Sequence, residues 1–100
     1  MYKHINFYNF VDGFSGQYEH NFTYEGKRAL FDYLEEYEES TGKTIEFDPI
    51  ALCCDFTEYA DIGEFHEDYD AEEYPTMEAI EDHKTVIRIP NKEGFIILVL

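Results

Sequence analysis

One hundred residues, a formal net charge of −16, 44% hydrophobic side chains and 18% aromatic ones bound what this chain can be. The length is that of a single acidic domain, 1–100, burying a modest core without disulfides or a structural metal, and the eighteen Phe and Tyr exclude a disordered acidic tail, which is poor in aromatics. The seven cations are scattered as Lys3, Lys27, Arg28, Lys43, Lys84, Arg88 and Lys92, which excludes direct binding to nucleic-acid phosphates or to an anionic membrane surface.

His4 to Val11 carries Ile5, Phe7 and Phe10 in a β-rich composition. Asp12-Gly13 and Ser15-Gly16 then signal a turn before Gln17 to Phe22, so this part reads as a β-hairpin. From Tyr24 to Thr41 the period changes: Ala29, Leu30, Tyr33, Leu34 and Tyr37 fall on one helical stripe, with Thr23 as N-cap and Gly42 as the stop. Asp32, Glu35, Glu36 and Glu39 form a carboxylate ridge behind that stripe. After Lys43 to Phe47 and Asp48-Pro49, Ile50, Leu52, Cys54 and Phe56 alternate with Ala51, Cys53, Asp55 and Thr57. That alternation predicts a central strand covered on both sides. Neighbouring cysteines in such a strand point to opposite faces and cannot easily bridge, so Cys53 and Cys54 are expected to be reduced core or near-core thiols. No second cysteine pair exists to complete a zinc site.

Beyond Asp61, a candidate N-cap, Ile62, Phe65 and Tyr69 recur at helical spacing and predict a short helix over Ile62 to Tyr69. Pro75 breaks the chain, and Thr76 caps a second short turn through Met77, Ala79 and Ile80. Thr85 to Ile89 and Phe95 to Val99 flank Pro90-Asn91-Lys92-Glu93-Gly94 as a closing hairpin. The expected fold is α+β: an antiparallel sheet of about five strands, one long helix packed on one face, and one or two short acidic helices. The start of the chain lacks a signal-peptide apolar stretch, and the run Phe95 to Leu100 is too short to span a bilayer, so a cytoplasmic protein is expected.

Between Asp55 and Asp82 stand twelve carboxylates in twenty-eight residues, without one Lys or Arg. Like charges at this density weaken the compact state, so a folded chain that keeps them uses the field on something positive. Asp68-Tyr69-Asp70-Ala71-Glu72 has the alternating oxygens that open a calcium loop. Glu73 stands where that loop needs Gly, however, and Ala79 where it needs a bidentate Glu. His66-Glu67-Asp68 is too compact for a transition-metal motif, and His4, His20 and His83 are dispersed. Neither a metal nor another cofactor is expected. Phosphate loops, nucleophile elbows and HExxH motifs are missing from the sequence, which is read as that of a non-enzyme.

A protein-binding role uses what is present. A folded chain of this mass exposes about 6,000 Å², or roughly 370 Å² per net charge, against roughly 110 Å² for duplex DNA. Concentrating the twelve acids on a third of the surface brings the figure to roughly 165 Å², so mimicry of nucleic acid depends on clustering. The candidate partner-binding residues are Asp32, Glu35, Glu36, Glu39, Glu58, Asp61, Glu64, Glu67, Asp68, Asp70, Glu72 and Glu73. Tyr59, Tyr69 and Tyr74 join them, interleaved with the acids and able to stack on Arg or fill interface pockets.

The stretch Phe47-Asp48-Pro49-Ile50-Ala51-Leu52-Cys53-Cys54-Asp55-Phe56-Thr57-Glu58-Tyr59, with the Tyr-, Leu- and Glu-rich helix before it and the Thr85 to Phe95 hairpin after it, resembles small acidic proteins of bacteriophages, prophages and plasmids. The resemblance implies a setting in which such proteins disable host nucleic-acid-targeting defences, as anti-CRISPR and antirestriction proteins do by occupying a nucleic-acid-binding groove. The expected partner is a basic nucleic-acid-binding protein or ribonucleoprotein complex of the host, contacted by a monomer or homodimer. The alternative is an immunity-type or regulatory protein holding one cognate basic protein without DNA mimicry. A carboxylate-metal enzyme is a third class, distinguished by dependence on a divalent ion.

Overall fold

The structure, a computed structural model, describes residues 5–14, 16 and 20–99. Its helices are α1 (Phe7–Gly13), α2 (Tyr24–Thr41), α3 (Pro49–Asp55), α4 (Ile62–Asp68) and α5 (Met77–His83); its strands are β1 (Phe56–Tyr59), β2 (Val86–Arg88) and β3 (Phe95–Leu98). Every helix begins on a short polar side chain that accepts from an otherwise orphaned backbone amide: Asn6 from Asn9, Thr23 from Gly26, Asp48 from Ile50 and Ala51, Asp61 from Glu64, and Thr76 from Ala79.

α2 spans 18 residues with the expected bounds and caps, ending at Gly42, whose φ of 71° places it in the left-handed region. α4, α5 and the closing hairpin also stand where the periodicity put them. Three expected strands do not, in whole or in part. His4 to Val11 is expected to be the first hairpin strand; His4 lies outside the described residues, and from Phe7 the chain forms α1. Asn6 and Asn9 close a reciprocal capping box, and Phe7, Phe10 and Phe14 lie three and four residues apart on a helical stripe. Of the second hairpin strand, residues 17–19 lie outside the described residues, and His20 to Phe22 form a turn and bend. Ile50 to Asp55 is likewise helical rather than a central strand, because Asp48 caps it and Pro49 occupies the first turn, where a missing amide costs nothing. Only Phe56 and Thr57 of that expected strand enter the sheet, as the start of β1.

The described sheet therefore has three antiparallel strands in the order β1-β3-β2, fewer than the five expected, and β3 is central. Its register pairs Phe56 with Leu98 and Tyr59 with Phe95 on one side, and Val86 with Ile97 and Arg88 with Phe95 on the other. Alternation then sorts side chains to two faces. Phe56, Ile87 and Ile96 pack with Phe10, Leu30, Phe31, Leu34 and Leu52 of the three N-terminal helices and with Phe14, the C-cap of α1. Tyr59, Phe95 and Ile97 pack with Phe65 of α4 and Ile80 of α5. The result is three layers: α1, α2 and α3 on one face, the sheet in the middle, and α4 with α5 on the other.

Candidate partner-binding surface

The α4–α5 layer is organised by one ring. Phe65 is completely buried and stacks on Tyr69 with centroids 4.5 Å apart and an 11° interplanar angle; the rings of Tyr59, Tyr74 and Phe95 close round it at 5.3, 5.8 and 5.7 Å. Polar contacts then fix the chain around that core. The Tyr59 hydroxyl donates to Asp68 Oδ2 at 2.9 Å. Burial, followed by the Asp68 carboxylate, pushes the Tyr59 phenol well above its ordinary pKa. His66 Nε2 lies 2.7 Å from the Tyr74 carbonyl oxygen, which can only accept, so this nitrogen carries the proton. Asp70 Oδ1 accepts from the Glu72 amide at 2.8 Å, folding the connection between the helices.

With the apolar side chains turned inward, the carboxylates face out. All ten acids from Asp61 to Asp82 are exposed, on a segment without Lys or Arg. They differ in what else they do. Asp61 caps α4, Glu64 reaches back to the Ala60 amide at 3.1 Å, and Asp68 and Asp70 make the bonds just described. Glu81 forms a two-point pair with Arg88 at 2.7 and 3.2 Å. Among the described residues Glu67, Glu72, Glu73, Glu78 and Asp82 make no side-chain hydrogen bond or ion pair and are the acids most available to a partner.

The other candidates separate from this group. Asp32 pairs with Arg28 at 3.3 Å, while Glu35, Glu36 and Glu39 project from α2, with Glu36 beside a shallow groove of about 240 Å³ formed with Tyr33, Tyr37 and Ser40. That ridge belongs to the layer across the sheet, so the candidates form two acidic surfaces back to back rather than one. Tyr59 is core. Glu58 sits over the start of α2, its carboxylate accepting from the Thr23 amide at 2.9 Å and the Thr23 hydroxyl at 2.8 Å, at the positive end of the helix dipole. A Cβ at Gly26 would overlap that carboxylate, so a glycine there makes the seat possible. Glu58→Ala is expected to cost roughly 1.5–3 kcal/mol in urea unfolding, the scale of hydrogen bonds to a charged group.

Sequence reasoning missed Lys84 and Arg88. Lys84 places its ammonium 4.9 Å from the Tyr69 ring centroid and 5.8 Å from that of Tyr74. Its position straight after α5 and close to two tyrosines was a usable signal. The guanidinium of Arg88 holds the Glu81 carboxyl below its ordinary pKa through their hydrogen bonds. A folded pKa below the unfolded one gives stability that is present above the unfolded value and lost as pH falls through the folded one. Glu81→Gln should therefore flatten the acid arm of a plot of melting temperature against pH, read by circular dichroism.

The cysteines lie on α3 rather than in a buried strand, with Cys53 half-buried and Cys54 exposed. Burial pushes the Cys53 thiol upward, so iodoacetamide at neutral pH is expected to label Cys54 well before Cys53, as read by peptide mass spectrometry. Two clefts of about 300 and 400 Å³ flank the turn at Lys92, Glu93 and Gly94, each lined by charges of both signs. Among the described residues no three of His, Cys, Asp and Glu come together closely enough to hold a metal ion, and no helix is long and apolar enough to cross a membrane. Protein-family models, curated proteins and solved structures give no match to this chain.

Proposed function

We propose that this chain is a binding inhibitor of the type carried by phages and mobile elements. In this reading its α4–α5 layer occupies the basic nucleic-acid-binding groove of a host defence complex, of the CRISPR or restriction kind. The observation that supports the reading is the exposure of all ten carboxylates between Asp61 and Asp82 on one layer held by a shared aromatic core. Over the whole surface of 6507 Å², the net charge of −16 averages about 400 Å² per charge, far more dilute than the roughly 110 Å² of duplex DNA. If the layer takes about a third of the surface, its ten acids stand at roughly 220 Å² each, half the duplex density, against roughly 280 Å² for each of the chain's twenty-three acids over the whole surface. Carboxylates at that density replace phosphates opposite Lys and Arg and steer a basic partner into fast association.

The experiment is affinity capture of the tagged protein from bacterial lysates expressing CRISPR and restriction complexes, eluted with salt and repeated with excess duplex DNA. Recovery of one nucleic-acid-targeting complex, released by DNA and by moderate salt, is the expected result. A single partner that DNA does not displace would replace mimicry by an immunity-type interaction, and retention of many unrelated basic proteins would reduce the chain to a polyanion.

A further inference from the structure

Lys84 differs from three of the chain's other described cations. Arg28, Arg88 and Lys92 each reach a carboxylate, at 3.3, 2.7 and 3.9 Å. Lys84 lies half-buried in the most acidic part of a sequence with twenty-three carboxylates, yet among the described residues its ammonium pairs with none of them. It sits instead on aromatic faces. Tyr69 and Tyr74 meet at 89° with centroids 6.0 Å apart, making a two-walled corner, and the ammonium lies within cation–π range of both rings.

The walls are held independently of the occupant. Phe65 stacks against Tyr69, which leaves the other face for the cation, and the Tyr74 backbone is pinned by His66. Lys84, by contrast, reaches the corner on a flexible four-carbon stem from the C-cap of α5, and among the described residues its ammonium makes no ion pair. An aromatic corner whose chain neighbours Asp68, Asp70, Glu72 and Glu73 are exposed carboxylates suits a cation, and of its three members Lys84 is the one carried on a flexible stem.

We infer that the Tyr69–Tyr74 corner is a recognition site for the guanidinium of a partner's arginine, and that Lys84 is an internal placeholder which that arginine displaces. A planar guanidinium stacks on one tyrosine wall and directs its remaining N–H groups outward to the surrounding acids, a combination that the compact ammonium of Lys84 does not achieve. The inference deepens the inhibitor reading by naming one contact of the same layer. It is tested on the free protein, so the two can fail separately.

The test is a titration with N-acetylarginine amide at constant ionic strength, following the ring signals of Tyr69 and Tyr74 by NMR, with the neutral isostere N-acetylcitrulline amide as control. Saturable shifts with the arginine derivative alone are expected. In Lys84→Met the midpoint should fall by roughly two- to fivefold, the factor set by releasing a partly exposed cation–π contact. Tyr74→Leu, which keeps the backbone carbonyl bound by His66, should abolish saturation. Phe65 and Phe95 ring signals report folding in the same spectra, and Lys84→Gln carries the same expectation should Lys84→Met lose them. Equal midpoints in wild type and both Lys84 variants, or equal shifts with the citrulline derivative, would overturn the placeholder. Capture that DNA fails to displace, with arginine binding intact, would overturn the inhibitor reading alone.

Discussion

Phe65→Ala is expected to lower the unfolding free energy by about 3–5 kcal/mol, a large part of the 5–15 kcal/mol typical of a domain. The side chain is fully buried and is the ring common to Tyr59, Tyr69, Tyr74 and Phe95, so its removal leaves a cavity that four fixed aromatic rings cannot collapse into. The carboxylates above it repel one another, and with the anchor gone that repulsion favours release of the layer. Urea unfolding should show the loss, and hydrogen exchange should show α4 and α5 amides exchanging much faster than those of α2. A cost below 1 kcal/mol, or uniform acceleration across both layers, would contradict the anchoring role.

Charge reversal supplies the second large effect. Glu67→Lys, Glu72→Lys and Glu73→Lys combined are expected to weaken capture of the basic partner at least about 100-fold, whereas Glu35→Lys, Glu36→Lys and Glu39→Lys combined should cost less than about tenfold. Both sets alter net charge equally, each reversal removing two units of the −16, so the contrast isolates position from total charge. The side chains of these three acids make no hydrogen bond or ion pair among the described residues, and easing repulsion should leave thermal stability unchanged or raised. Glu64 and Asp68, equally conspicuous in the sequence, are poor test positions because they hold the Ala60 amide and the Tyr59 hydroxyl. Equal losses from both sets would leave only long-range attraction between an acidic molecule and a basic one.

How far such positions could be read without coordinates depends on the length of the local pattern. The stripe from Ala29 to Tyr37 runs for several turns between a threonine and a glycine, and Asp61 and Thr76 each precede a helical spacing, so α2, α4 and α5 were legible. The apolar runs at Ile5 to Phe10 and Ile50 to Phe56 are short enough to satisfy either period, and there the caps decide the conformation. Asn6 with Asn9, and Asp48 before Pro49, were present in the sequence as start signals and outweighed the alternation. For the surface, the density of acids was legible. Its division was not, because only the strand register shows the sheet standing between the α2 ridge and the α4–α5 layer. Nor could spacing reveal that Glu58 serves a helix start thirty-five residues away.

The central strand gives this small protein two separable halves. Phe95 and Ile97 point one way and Ile96 the other, each with no exposed surface, so neighbouring residues of one strand serve different hydrophobic clusters. Substitutions confined to one cluster share few contacts with the other and should combine additively in their effects on stability. Under the proposed inhibitor reading, the half bearing α2 acts as a chassis while the outer half is able to drift in sequence to follow a changing target. A chimera that exchanges residues 61–84 for a differently charged helix pair, keeping Phe65 and Ile80, would be the shortest route to a new specificity on the same frame.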